Sequence, residues 1–234
     1  MNKSLLIILV AFFFSGCVKT PNLNYNASMH KDIKSIAIVA PKETTELTVF
    51  YHNHPGASFG LIGGLAMAAE FNAKTSEYNK LIKSTKFNAD AYFLSRLAFY
   101  LKKSKYKVII LPADNKRKLE YLAVYPDTNV DAYLDLLVYN VGYIAGSPTA
   151  KYKPTITLNA RLMKKSNKEI VYEKALAIGE NFAIAKETDY LGYDNGNSHK
   201  DFDTLKEHAV KSVSGIKKAL NNVAKHLALS LKRG

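Results

Sequence analysis

A five-residue pattern at 56–60, Gly-Ala-Ser-Phe-Gly, has the spacing of a nucleophile elbow, in which a serine on a tight turn attacks a carbonyl carbon. The serine would be Ser58, and it would need an imidazole and a carboxylate as partners. The chain offers candidates downstream: His199, His208, Asp194 and Asp201. In hydrolases of this kind several strands precede the elbow, whereas only about two short strands precede Ser58. We therefore expect no enzymatic activity, and serine hydrolysis at Ser58 remains only as the weakest alternative.

Two clusters could hold a metal ion. His52-Asn53-His54 presents two imidazoles in an extended stretch, but no acidic or cysteine ligand lies close in sequence. Residues 194–197, Asp-Asn-Gly-Asn, lack the alternating oxygen ligands and the distal glutamate of a calcium loop. We expect a solvated loop and a turn, with no metal and no cofactor.

The N-terminus has the pattern of an export signal that ends at a cysteine. Asn2-Lys3 is a short positive region, and the ten residues from Leu5 to Phe14 are apolar. A transmembrane helix needs about 20 such residues, so this run fits the core of a signal peptide. Small residues follow, and then Cys17, which is the only cysteine in the chain. A plain secretory signal or an uncleaved anchor remains the alternative.

Phe14-Ser15-Gly16-Cys17 resembles the bacterial lipobox, in which a lipidated cysteine becomes the first residue of the mature protein. The resemblance implies a signal peptide at 1–16 and S-diacylglycerol and N-acyl (palmitate-type) lipid on Cys17. In enteric-type bacteria an aspartate after this cysteine retains lipoproteins in the inner membrane. Val18 stands there in this chain, which implies the periplasmic face of the outer membrane.

Composition favours contact with anionic surfaces. Lys and Arg number 33 against 20 acidic residues, a formal net charge of +13. Phospholipid, lipopolysaccharide and peptidoglycan are candidate partners, whereas the compartment and the lack of a binding motif disfavour nucleic acid. Four lysines spaced by seven predict a basic ridge on the last helix, either a solvated face or an anionic-surface contact: Lys211, Lys218, Lys225 and Lys232.

The segment from Ala57 to Ala69 is apolar and rich in small residues. At about 13 residues it is too short to span a bilayer as a helix. Gly60, Gly63 and Gly64 would let another backbone approach closely. One interpretation is a segment packed against the chain's own sheet, and the other is self-association or membrane insertion.

The order of elements predicts an α+β fold with helices on a mixed sheet. We expect a tether over 17–32 and one domain over 33–231, with an insertion at about 46–87. Within the domain, strands are expected at 33–41, 46–51 and 106–111, and a helix at about 89–103. A charged helical turn is expected around 116–122, and a long strand over 131–145, broken near two glycines. A hairpin follows at 155–163 and 169–179, and a long amphipathic helix at about 203–231.

Three stretches carry a resemblance to a group of periplasmic domains. They are IKSIAIVAP (33–41), VDAYLDLLVYNVG (130–142) and TLNARLMKKSNKEIVYEKAL (157–176). They resemble the domain shared by the curli-secretion channel lipoprotein, the penicillin-binding-protein activator lipoproteins and the N-terminal part of the Tol-system propeller protein. The resemblance implies an envelope location and this fold, but members range from pore to enzyme activator.

These observations together predict a lipid-anchored, non-enzymatic envelope protein that binds another envelope protein or an anionic wall component. The alternative is an oligomeric or membrane-inserting part of an envelope or secretion machine, which would use residues 57–69.

Overall fold

The computed structural model describes residues 22–112, 117–180, 187–192 and 195–233. Within these ranges eight strands form one mixed sheet with four α-helices, which confirms the predicted α+β class. No helix in the same ranges is both long enough and apolar enough to cross a membrane. The strands are β1 (Asn22–Leu23), β2 (Ser35–Val39), β3 (Thr48–Tyr51), β4 (Lys107–Leu111), β5 (Ala132–Ala145), β6 (Lys153–Lys164), β7 (Ile170–Ile178) and β8 (Asp189–Tyr190). The helices are α1 (Gly60–Ile82), α2 (Ala89–Lys103), α3 (Phe202–Glu207) and α4 (Ala209–Ser230).

Strand β5 is the centre of the sheet, whose order is β1-β7-β6-β5-β2-β4. β6 and β7 form the predicted antiparallel hairpin, and β6 also pairs antiparallel with β5. On the other edge of β5, β2 and β3 both pair in parallel, β2 with residues 132–135 and β3 with residues 142–145. The region expected to be an insertion therefore contributes a strand to the main sheet.

The predicted interruption of β5 near Gly142 and Gly146 is wrong, because the strand runs unbroken to Ala145. Gly142 serves a different purpose. A Cβ at this position would overlap the backbone of Thr48, so glycine allows β3 to lie close enough to pair. The signal that resembled a break marks a close approach of two strands.

The helices α1, α2 and α4 bury the main hydrophobic core against one face of the sheet. The sequence predicts one helix over 203–231, but α3 and α4 are separate and meet at His208. This break lets α3 place Leu205 in the core while α4 follows the sheet. The predicted apolar stripe of α4 is buried throughout: Val213, Ile216, Leu220, Val223, Leu227 and Leu231.

Residues 117–130 cover part of the opposite face of the sheet. The sequence predicts a helical turn around 116–122, but the described part of that segment is not helical. A buried ion pair between Arg117 and Asp135 fixes its course instead. Asp135 also accepts hydrogen bonds from the Leu122 amide at 3.0 Å and the Tyr125 hydroxyl at 2.8 Å. These bonds hold the segment in an irregular path with bends, and its described residues form no helix.

Part of the stretch expected to be a tether, 17–32, lies against the fold, because the chain contacts the sheet from Asn22 onward. Strand β1 pairs antiparallel with β7. The hydroxyl of Tyr25 lies 3.3 Å from the hydroxyl of Tyr106, at the start of β4. Asn22 stands only five positions after Cys17, the predicted lipidation site, which lies outside the described residues.

Candidate functional site

A turn after β3 carries the chain beyond the end of the sheet before α1 runs back along β3. His54 caps a short 3-10 turn at Pro55–Phe59, because its Nδ1 accepts a hydrogen bond from the Gly56 amide at 2.8 Å. Gly60 follows with φ of +59°, in the left-handed region where a side chain would be strained. The chain can therefore reverse direction at Gly60 and enter α1.

The helix α1 is longer than the strand it packs on, so its first part projects beyond the sheet. The Val49 amide donates to the Thr75 hydroxyl at 3.0 Å, and the Tyr51 hydroxyl donates to Glu70 at 2.9 Å. β3 ends at Tyr51, which lies level with Glu70. α1 begins ten residues before Glu70, at Gly60. At 1.5 Å per residue, the helix starts about 15 Å beyond the level of Glu70.

Four large apolar side chains lie in water on this projecting part, which we call the apolar start of α1. Clustered exposure of this kind is rare away from interaction surfaces. The interpretation in which residues 57–69 pack against the chain's own sheet is therefore wrong for these side chains. Their exposed fractions are 74% for Phe59, 81% for Leu61, 82% for Ile62 and 64% for Leu65.

The three glycines proposed for self-association have different roles. Gly60 supplies the left-handed turn described above. Gly63 is buried, and a Cβ there would overlap the carbonyl oxygen of Gly56, so it is needed to pack α1 on its own 3-10 turn. Gly64 meets nothing within 4 Å. Only Gly64 is thus a glycine that the chain's own packing does not require.

A polar network anchors the base of the projection on the carboxylate of Glu70. His54 Nε2 lies 2.9 Å from Glu70 Oε2, and Lys74 Nζ lies 2.7 Å from Glu70 Oε1. Because His54 Nδ1 is an acceptor, we assign the ring proton to Nε2, which donates to Glu70. Tyr51 donates to the same carboxylate and its ring stacks on His54, with centroids 5.0 Å apart.

The network stabilises Glu70 as an anion. Its pKa is lowered from 4.5 to about 2, mainly by the hydrogen bond from Lys74, with smaller contributions from His54 and Tyr51 that together outweigh burial. The pKa of Tyr51 is raised by burial and by its bond to Glu70. Neither shift gives a proton donor or acceptor poised near neutral pH. The network is therefore suited to holding the turn in place rather than to acid–base chemistry.

Sequence reasoning missed this network. The spacing of Glu70 and Lys74 by four residues on a helix was a readable signal for an ion pair. The participation of Tyr51 and His54 was not readable, because it depends on how α1 lies against β3.

An apolar cleft of about 490 Å³ opens between the projecting helix and the end of β3. The network closes its polar end, since Glu70 and Lys74 line it. The remaining surface is mainly apolar, with Phe50, Met67 and Phe71 among the lining residues. The cleft therefore adds a second apolar surface at the base of the projecting part of α1.

The described residues of the hydrolase pattern do not assemble. Ser58 is exposed on the 3-10 turn, and among the described residues it forms no hydrogen bond with a histidine or an acid. His199 and His208 lie near each other, with ring centroids 6.2 Å apart, at the start of α3 and α4. Asp201 caps α3 by accepting from the Thr204 amide at 2.8 Å. Asp194 lies outside the described residues.

The candidate metal cluster at His52 and His54 is also poorly suited to a metal ion. Both ring nitrogens of His54 are engaged, by the Gly56 amide and by Glu70, which leaves no lone pair for a cation. Within the described ranges no three potential ligands from His, Cys, Asp and Glu come together. Residues 195–197 form a 3-10 turn rather than a loop around an ion.

The lysines of the predicted ridge are all exposed along α4 and just after its end, as their spacing predicts. Lys211 and Lys232 stand about 32 Å apart along the helix axis at 1.5 Å per residue. The structure adds a grouping that the sequence does not reveal, because the ends of α2 and α4 meet. We call it the basic cluster: Lys103, Lys105, Lys232 and Arg233.

Comparisons with known proteins give distant likenesses in fold. No family model matches the chain, and no curated protein matches it. Among solved structures, the chain is similar to the protein XCC0632 of Xanthomonas campestris, with 13% identity, a TM-score of 0.45, and 89% of this chain and 87% of that one covered.

Two further structures are similar at a lower level. The PelC dodecamer of Paraburkholderia phytofirmans has 13% identity and a TM-score of 0.37, with 92% of this chain and 93% of that one covered. Lipoprotein GNA1162 of Neisseria meningitidis has 14% identity and a TM-score of 0.23, with 77% and 98% covered. At this distance no activity or assembly is transferred from them.

Proposed function

We propose that this chain is a lipid-anchored, non-enzymatic protein of the bacterial envelope that docks a protein partner through the apolar start of α1. The observation that carries the proposal is the exposure of Phe59, Leu61, Ile62 and Leu65 on a helix that projects from the sheet. Removing apolar surface from water contributes about 25 cal/mol per Å², so a partner groove would gain from covering them. A helix that presents apolar anchors at this spacing is a recurrent means of docking.

The rigid base of the projection supports this role. Glu70 joins the strand end, the capping histidine and the helix in one network, so the exposed side chains are presented in a fixed direction. A surface that is ordered before binding loses less conformational entropy when it docks. The adjoining apolar cleft offers a recess for side chains of the partner.

The anchor is proposed from the sequence around Cys17. Five positions separate it from Asn22, so a fully extended chain holds β1 within about 17 Å of the lipidated residue. The domain would then work close to the membrane. Because Val18 is not the aspartate that retains lipoproteins in the inner membrane, we place the domain on the periplasmic face of the outer membrane. Mass spectrometry of the mature N-terminus should show a lipid-modified Cys17, and an unmodified cysteine there would contradict the anchor.

Docking is testable with a photo-crosslinking amino acid in place of Phe59 in the full chain, produced in bacteria that process lipoproteins. We expect a protein adduct of discrete mass. Leu61→Asn with Ile62→Asn should remove the adduct and leave the thermal unfolding temperature nearly unchanged, because both side chains are already in water.

The matched control places the crosslinker at Leu229, an exposed apolar residue near the C-terminal end of α4. It should give no discrete adduct. Adducts with lipid alone at position 59 would favour membrane insertion, and equal protein adducts at both positions would contradict a specific docking surface.

A second candidate is docking to another copy of the same chain. Gly64 favours it, because its open surface lets a second helix approach closely and no contact within the chain explains it. A crosslinked species of twice the monomer mass would identify this case. A Gly64→Leu variant should then remain monomeric in detergent, whereas the wild-type chain should not.

A further inference from the structure

The ends of two helices bring four cations to one end of the fold. α2 and α4 pack side by side, with Arg96 Nε donating to Asn221 Oδ1 at 2.8 Å. Both helices stop at the same level, where the Tyr106 hydroxyl donates to the Leu231 carbonyl at 2.7 Å. The basic cluster surrounds a shallow cleft of about 480 Å³ there, with Ser104 between its members.

Two charges of the basic cluster, those of Arg233 and Lys103, are held in place by contacts that do not neutralise them. The guanidinium of Arg233 donates to the Lys105 carbonyl at 2.9 Å and lies 5.8 Å from the centre of the Tyr106 ring. The ammonium of Lys103 lies 5.1 Å from the centre of the Phe99 ring. In the part of the chain that the structure describes, none of the four forms an ion pair with a carboxylate. The cleft therefore offers positive charge to an anion from outside.

The basic cluster lies close to the place where the chain that follows Cys17 first contacts the fold. Tyr25, eight positions after that cysteine, has its hydroxyl 3.3 Å from that of Tyr106. Eight residues span at most about 28 Å, so the cluster stays within that order of distance from the lipidated residue. The membrane that holds Cys17 is thus within reach of these cations.

The register of the sheet places the apolar start of α1 at the far end. Asn22 of β1 pairs with Lys174 of β7, which pairs with Ala160 of β6. Ala160 in turn pairs with Leu136 of β5, so Asn22 lies at the level of Leu136. Leu136 is roughly 13 Å from the first residue of β5 at 3.3 Å per residue, and roughly 30 Å from the last. The basic cluster lies at the first end of β5, and α1 projects beyond the last.

We infer that the basic cluster rests on the anionic phospholipid headgroups of the membrane that holds Cys17, with the apolar start of α1 directed away from it. The inference rests on the anchoring that forms part of the proposed function. Lysines near an anionic leaflet are attracted to it within a screening length of the surface. Lipid and charge would then act as two independent attachments, and together they fix the orientation of the domain.

Energy transfer to a headgroup-labelled lipid tests the inference. The lipidated full chain, with a fluorophore on a Ser104→Cys variant, is reconstituted into phosphatidylcholine vesicles with or without phosphatidylglycerol. We expect transfer to increase when phosphatidylglycerol is present and the increase to be lost in about 1 M salt, where the screening length is about 3 Å. A fluorophore on a Ser58→Cys variant, on the projecting turn, should show less transfer in both.

Matched charge removals sharpen the test. Replacing Lys103, Lys105 and Lys232 by glutamine should abolish the phosphatidylglycerol-dependent increase. The control replaces three exposed lysines in the first half of α4, away from the cluster: Lys211, Lys217 and Lys218. This control should keep the increase, and circular dichroism should show both variants folded.

The outcomes separate the two proposals. If the chain does not float with vesicles of either composition, the anchor fails and the inference fails with it. If the chain floats but its transfer is the same with both lipids, or both triple variants lose the increase equally, only the basic cluster is refuted as the contact.

Discussion

His54 donates from Nε2 to the Glu70 carboxylate across 2.9 Å, and this contact joins the two sides of the turn that carries the apolar start of α1. The residues are 16 positions apart, with the 3-10 turn and the first part of the helix between them. The bond therefore closes a loop whose outer surface is apolar and whose base is polar.

Replacing the central carboxylate should loosen this loop. Glu70→Gln keeps the shape of the side chain but removes the ion pair with Lys74, and we expect a loss of about 1 kcal/mol in the free energy of unfolding. Urea denaturation measures it. Glu77→Gln on the same helix is the control, because its exposed contact with Lys206 at 3.2 Å should contribute little. Equal losses would show that the Glu70 network has no special weight.

The same carboxylate should make stability depend on acid pH. The pKa of Glu70 in the folded protein is about 2, below the ordinary value of 4.5, so folding favours the ionised form. Its contribution is complete above about pH 4.5 and is lost as the pH falls toward 2. The difference in unfolding free energy between wild type and Glu70→Gln should therefore shrink over this window. A difference that stays constant down to about pH 2 would contradict the lowered pKa.

Replacing each of two adjacent glycines by alanine should change the stability of the protein in opposite directions. Gly63→Ala forces a Cβ onto the Gly56 carbonyl and should destabilise the protein by about 1 to 3 kcal/mol. Gly64→Ala adds a methyl group in open space and should stabilise the helix by up to about 1 kcal/mol. Thermal unfolding of the two variants gives the comparison. If Gly64→Ala also weakens association while raising stability, the glycine serves an interface.

The buried ion pair should be among the most sensitive positions. Asp135→Asn leaves the Arg117 guanidinium buried without its counter-charge, and we expect a loss of about 3 to 5 kcal/mol. Asp127→Asn removes the exposed partner of Lys165 and should cost less than about 1 kcal/mol. Similar losses in the two variants, measured by chemical denaturation, would argue against a dominant role for the buried pair.

Local signals in the sequence were enough to predict several elements. The helix α2 has the predicted bounds because Asn88 caps it, accepting from the Ala91 amide at 2.8 Å, and because its apolar residues recur at helical spacing. The β6–β7 hairpin turns at 166–168 as predicted, with Lys168 in the left-handed region. Each of these features depends on residues close together in the chain.

Features that join distant parts of the chain could not be predicted in this way. The irregular, non-helical path of residues 117–122 follows from Asp135, whose burial depends on the finished sheet. The exposure of Leu61 and Ile62 depends on how far α1 overruns β3, which no local pattern reveals. The basic cluster forms only because two helices more than 100 residues apart end at the same level.

β2 and β3 both pair with the same edge of β5, and this arrangement affects how the chain folds. The parallel pairings of Ile36 with Ala132 and of Thr48 with Gly142 each close a loop of more than 90 residues. Loops of this length are slow to close, and the rate of folding falls as contacts become more distant in sequence. The N-terminal third cannot complete its sheet until residue 145 is available. A chain that emerges N-terminus first would therefore spend that interval with β3 unpaired and with β2 able to pair only with β4. During this period a chaperone could bind the exposed strands.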